Sequence, residues 1–130
     1  IAAALKREIG VDLECVRDFD FVPVAERFFT ALEVADLRSL SKPLQRSAFY
    51  KCWTSKEAFL KAKGTGLSGK LDEVEISSMD GADIRISASV PGWSLAELPV
   101  GDGYSAALVS EGAPVKVQLY QWNSSSTVSQ

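Results

Sequence analysis

The chain changes its hydrophobic rhythm along its length. Ile9, Val11, Leu13 and Cys15 alternate with Glu8, Gly10, Asp12 and Glu14, the period of two of a half-buried strand. Pro23 can open a helix over Val24 to Leu32, with Phe28 and Phe29 supplying core contacts, and Val34 to Leu40 reads as a second short helix. Ser41 stands as the cap and Pro43 near the first turn of a longer helix. Its apolar residues Leu44, Ala48, Phe49, Cys52, Trp53, Phe59 and Leu60 recur at helical spacing up to Lys63, and Gly64 is its stop. Beyond Gly69 the pattern predicts strands over Leu71 to Ser77, Asp83 to Val90, Trp93 to Leu98, Tyr104 to Ser110 and Val115 to Trp122. The turn-forming groups Asp80-Gly81, Pro91-Gly92, Gly101-Asp102-Gly103 and Glu111-Gly112 separate them. The expected class is α+β, a largely antiparallel sheet packed against a long helix and shorter helices. Residues 1–122 read as one domain, and the serine-rich 123–130 as a disordered polar tail.

Composition fits that reading. A length of 130 residues with 46% hydrophobic positions supports one domain with a core. No apolar run approaches the roughly 18 residues that span a bilayer, and Ile1 to Leu5 runs too soon into charge to be a secretory signal, so a cytoplasmic protein without membrane contact is expected. Cys15 and Cys52 match no metal-ligand spacing and read as reduced core thiols. Histidine is absent, which removes the usual general base and the commonest transition-metal ligand. Any catalysis must then rest on carboxylates, lysines or a hard metal ion.

Charge is unevenly placed. Seven basic residues (Arg38, Lys42, Arg46, Lys51, Lys56, Lys61, Lys63) against Glu57 alone give the segment 38–63 a charge of +6, leaving -9 on the rest of a chain whose net charge is -3. Such a zone either meets an anionic ligand or partner, or is a solvated helix face. Nucleic acid is disfavoured as that partner, because the whole chain is acidic and its aromatics are not interleaved with a basic strand surface.

Three features could carry chemistry. Asp12 and Glu14 project from one face of the first strand; this face is either exposed to solvent or holds a hard divalent cation such as Mg2+, which accepts carboxylates and completes its shell with phosphate oxygens. Projected at roughly 100° per residue, the long helix places Lys56 inside its apolar arc, where a lysine must snorkel, pair or meet a ligand. Glu57 and Lys61 sit together at the edge of that arc, as an ordinary i,i+4 ion pair or as part of a site. Gly64 to Lys70 superficially fits GxxxxGK, but Leu71 replaces the metal-holding Ser/Thr and the loop follows a helix. It is expected to be a helix end with a glycine turn, not a phosphate cradle.

The combination resembles a family. IGVDLE (Ile9 to Glu14), followed further along by WTSKEAFLKAKGTGL (Trp53 to Leu67), is similar to the two signature motifs of the 4'-phosphopantetheinyl transferases, (I/V)G(I/V)DxE and (W/F)xxKE(A/S)xxKxxGxGL. Arg27-Phe28-Phe29 and Gly103 to Leu108 are also similar to the surfactin-synthetase-activating, long type, and the resemblance spans roughly residues 8 to 110. It implies that Asp12, Glu14 and Glu57 bind Mg2+ with the pyrophosphate of coenzyme A, while Lys56 and Lys61 neutralise its phosphates. A serine of an apo acyl or peptidyl carrier protein would attack the phosphate that bears the pantetheine arm, 3',5'-ADP would leave, and Glu57 or a metal-held water would take the serine proton, with Lys61 as the other catalytic group. Arg38, Lys42, Arg46 and Lys51 become candidates for steering an acidic carrier, or remain plain solubilising charge; Phe28, Phe29 and Trp53 are expected in the core.

Long-type members contain two similar halves with coenzyme A between them, and this chain has the size of one. The resemblance therefore implies a C-terminal half that partners an N-terminal half, or a homo-oligomer like the short-type holo-acyl-carrier-protein synthases; the former agrees better with the motifs. Either way an uncovered face and self-association are expected. The alternative function is a non-catalytic module that binds coenzyme A or a carrier protein.

Overall fold

The computed structural model describes residues 8–64, 76–77, 87–88, 90–114 and 116–120. Strand β1 (Ile9–Cys15) leads to helices α1 (Phe21–Phe28), α2 (Ala31–Ser39) and α3 (Lys42–Lys63), then to β2 (Ile76–Ser77), β3 (Ser87–Ala88), β4 (Trp93–Glu97) and β5 (Tyr104–Glu111). β5 lies between β1 and β4, antiparallel to both, while β2 and β3 pair with each other. This is the α+β arrangement expected, with α3 laid across β1 and β5.

Local chemistry explains the helix bounds. Asp20 caps α1 by accepting from the Val22 N–H, so this helix starts at Phe21, earlier than Pro23 alone suggested. It ends at Phe28 and does not run to Leu32, because Thr30 caps α2. The Thr30 hydroxyl accepts from the Glu33 N–H and the Glu33 carboxylate accepts from the Thr30 N–H, a reciprocal capping box. α3 has Ser41 at its cap position without a side-chain bond, proline in its first turn, and Gly64 at φ 73°, a left-handed stop that glycine adopts without penalty.

The core lies around α3, between it and the facing surfaces of α1 and α2 on one side and the sheet on the other. Phe21, Phe29 and Trp53 all stack on the Phe49 ring, and Phe28 meets Trp53 edge-on, so Phe28, Phe29 and Trp53 belong to the packing as expected. On the other side Ala58, Phe59 and Ala62 meet Ala107 and Val109 of β5.

β1 holds a surprise of orientation. Its polar face turns inward: Gly10 and Asp12 are buried beneath α3, whereas Leu13 is 57% exposed and Cys15 is exposed. Cys15 is therefore not a core thiol; Cys52 is. The reason is spatial. A Cβ at position 10 would stand 2.2 Å from the Ala58 carbonyl oxygen and 2.4 Å from the Ala62 nitrogen, so the helix can lie this close only over glycine. Glycine's alternation partners Asp12 and Glu14 share its face.

The expected strand over Val115 to Trp122 is not formed at residues 116–120, where the backbone is irregular and Tyr120 is 87% exposed. Of the strands expected over 71–77 and 83–90, residues 76–77 and 87–88 are strand and Val90 is not; the remainder, the glycine turn after Gly64, residues 1–7 and the tail at 123–130 lie outside the described residues.

Candidate functional site

β1 and the last two turns of α3 form the site. In register, Asp12 stands opposite Ala107 and Glu14 opposite Ser105, so both carboxylates lie on the helix-facing side of the sheet. Ser105 in turn shares a 3.2 Å hydroxyl contact with Thr54 of α3. Small β5 side chains thus leave room beside the carboxylates.

The Lys61 ammonium donates to Asp12 Oδ1 at 2.7 Å, while Lys61 keeps half of its side chain in solvent and Asp12 is only 5% exposed. Lys61 therefore bonds to the strand carboxylate and is more than half of an i,i+4 pair with Glu57. Asp12 Oδ2 is buried and has no hydrogen-bond partner among the described residues. A buried carboxylate oxygen left so is costly unless a cation or donor meets it.

The neighbouring acids feel this charge. Burial first, and then the Asp12 carboxylate, push Glu14 above its ordinary range, with a hydrogen bond from Trp53 opposing and Glu57 adding a smaller push. Burial and Asp12 likewise raise Glu57, against the pull of Lys61. The structure thus brings Asp12, Glu14, Glu57 and Lys61 together. Among the described residues no three acidic or thiol side chains converge into a ready-made cage. Oxygen donors, mutual repulsion and the orphaned Asp12 oxygen nonetheless fit a hard divalent ion that draws the rest of its shell from water and ligand oxygens.

Lys56, expected at the phosphates, does not join them in this structure. It is 0% exposed, its ammonium lies 2.7 Å from Glu33 Oε1, and it stands 5.5 Å from the centre of the Phe29 ring. An ammonium sealed against α2 cannot reach a ligand on the flank where Glu57 and Lys61 emerge. Glu33 escaped the sequence reading, although Thr30-x-x-Glu33 spells a capping box; the helix drawn through Leu32 hid it. Among the steering candidates, Lys42 and Arg46 are exposed, Arg38 pairs with Glu26, and Lys51 is bonded to Glu97 at 3.5 Å.

A family model described as the 4'-phosphopantetheinyl transferase superfamily matches residues 8–109, which contain every one of these side chains. The chain belongs to this superfamily. Its curated relatives include the 4'-phosphopantetheinyl transferase HetI of Nostoc sp., 40% identical over 107 residues that cover 82% of this chain and 44% of that protein. Another is the 4'-phosphopantetheinyl transferase Sfp of Bacillus subtilis, 37% identical over 76 residues, 58% of this chain and 34% of the relative. The chain thus spans less than half the length of either. Relatives of the Sfp kind agree with the long type suggested by the motif details.

Solved structures share the fold. The Bacillus anthracis holo-(acyl-carrier-protein) synthase, solved in complex with CoA (3',5'-ADP), superposes with a TM-score of 0.63 at 20% identity, covering 82% of this chain and 96% of its own. The Thermotoga maritima holo-[acyl-carrier-protein] synthase gives 0.62 at 23% identity over 82% of this chain and 64% of its own. Among the described residues no helix is long and apolar enough to cross a membrane.

Proposed function

We propose that this chain supplies the metal-holding and phosphate-contacting half of a 4'-phosphopantetheinyl transferase active site, working on coenzyme A and an apo carrier protein in the cytoplasm. The observation that carries this reading is the Asp12 carboxylate: one oxygen bonded to Lys61, the other buried without a partner among the described residues, and two further acids raised beside it. Family membership supplies the reaction class, and the printed names of the relatives supply the substrate class.

Asp12, Glu14 and Glu57 would hold Mg2+, which supplies charge neutralisation on a pyrophosphate when bound. Lys61, whose ammonium donates to Asp12 while half of its side chain stays in solvent, keeps further N–H groups for a phosphate oxygen. The carrier serine oxygen forms a new bond to the phosphorus that bears the pantetheine arm. The bridging P–O bond breaks and its electron pair leaves on 3',5'-ADP. Glu57, whose proton affinity is raised by burial and by Asp12, takes the serine proton. The exposed Lys42 and Arg46 give an acidic carrier a surface to approach.

The test incubates this chain with apo carrier protein, coenzyme A and Mg2+ and reads the pantetheine adduct by mass spectrometry. An adduct that disappears in Glu57→Gln is expected. Because the chain spans less than half of its curated relatives, a second reading is specific: the site binds but needs a second half or copy to turn over. Coenzyme A binding without adduct, restored to turnover by a second half, supports that reading; neither binding nor adduct overturns both.

A further inference from the structure

The deepest ionic contact lies outside the carboxylate cluster, on the opposite flank of the same helix. Lys56 and Glu33 are both buried, their charges 2.7 Å apart, and Glu33 Oε1 also accepts the Thr30 N–H at 2.7 Å. The carboxylate is thus fixed to the start of α2 by the capping box before Lys56 meets it. Cys52, one turn earlier on α3, faces the same carboxylate, which together with burial holds its thiol well above the usual range.

Adhesion alone does not account for such a pair. Removing two ions from water is costly, and apolar side chains of the same volume hold two helices together at least as well. What an ion pair adds is direction, because it is satisfied at one geometry only.

That direction matters because of where α3 is gripped. Successive helical residues leave the axis roughly 100° apart, so Lys56 points about 160° away from Ala58, which rests over Gly10 on the sheet side. Glu57 and Lys61 leave between these two grips, about 100° and 140° from Lys56. Aromatic packing and the contact with Gly10 hold α3 in place, and a charge pair on the far side adds a grip that is satisfied at one rotation only.

We infer that Glu33 and Lys56 are positioning residues whose buried ion pair fixes the axial rotation of α3 and thereby aims Glu57 and Lys61 at Asp12. The inference rests on the functional reading for its consequence, but not for its geometry. Both residues are buried away from the surface on which the carboxylates and Lys61 lie.

The experiment compares the intact chain with Glu33→Leu/Lys56→Met, which replaces the ion pair by an apolar pair of similar volume. Three readouts are taken: thermal melting by circular dichroism, nuclear Overhauser contacts from the Gly10 α-protons to the Ala62 amide and α-protons, and calorimetric titration with coenzyme A and Mg2+. Positioning predicts melting within a few degrees of the parent chain, weakened Gly10 to Ala62 contacts, and at least a tenfold loss of affinity. Unchanged contacts and affinity in the folded double variant overturn it. Should that variant fail to fold, Glu33→Asp, which keeps both charges and shortens the reach, decides: wild-type contacts overturn the inference, weakened contacts with retained melting uphold it. If the parent chain binds neither Mg2+ nor coenzyme A, the functional reading falls, while the Gly10 contacts still decide the role of the pair.

Discussion

Gly10 lies directly beneath Ala58, so close that a single methyl group at position 10 would stand 2.2 Å from the Ala58 carbonyl oxygen. The obstacle is backbone, which cannot rotate out of the way. Overpacking a core costs about 1–3 kcal/mol, occasionally more, and Gly10→Ala is expected at or above the upper end in urea unfolding. Ala58→Gly should not rescue it, since the clashing oxygen stays. An unchanged unfolding midpoint in Gly10→Ala would refute the close approach.

The two lysines of the signature segment should behave differently. Lys61→Ala removes a half-exposed ammonium from Asp12 and from the phosphates, and should weaken coenzyme A about tenfold or more, with a stability loss for the stranded Asp12 of about 1.5–3 kcal/mol, smaller than that of a fully buried pair. Lys56→Ala leaves the Glu33 charge buried and should destabilise the fold by about 3–5 kcal/mol. Calorimetry and denaturation on the same two variants separate these outcomes; equal stability losses would contradict the assignment.

The cysteines offer a chemical check on the inverted strand. Cys15 is exposed, whereas the Cys52 thiol is buried and raised well above its usual range by burial and Glu33, so little reactive thiolate forms there. Ellman's reagent near neutral pH should titrate one thiol in the native chain and two in denaturant, and Cys15→Ser should abolish the fast phase. A fast second equivalent in the native chain would count against the buried position of Cys52.

Glu14 and Glu57 both lie above their ordinary value of 4.5, pushed there by burial and Asp12 and held back by Trp53 and Lys61 respectively. For an acid raised in the fold, the stabilisation is complete below the unfolded value and is lost as pH rises through the folded one. Without a divalent ion, these two groups therefore destabilise the chain toward neutrality. Mg2+ opposes that loss, and the melting shift it produces should grow as pH rises above the ordinary carboxylate range. A shift that is flat or larger in acid argues against carboxylate binding.

The cluster of Asp12, Glu14, Glu57 and Lys61 was legible because two short motifs fix strand alternation and helical phase, and both periods are local properties. What escaped depends on contacts between elements. A helical projection placed Lys56 among apolar neighbours but could not show that α2 presents Glu33 to it. Alternation along β1 marked two faces without saying which one faces the helix, and the missing Cβ of Gly10 decided that. Residues 116–120 alternate well enough for a strand, yet strand preference expresses the fit to neighbouring strands, and none pairs with them among the described residues.

Gly64 closes α3 just past Lys61, its N–H turned back to the carbonyls of Leu60 and Lys61. The site therefore sits at the carboxyl end of a helix, whose macrodipole leaves about half a negative charge there. Phosphate groups ordinarily gather at the amino end, where bare N–H groups attract them. Here the backbone polarity of the helix end repels an anion and welcomes cations, so at this end of α3 a phosphate is favoured by a lysine or a metal ion and not by the helix itself.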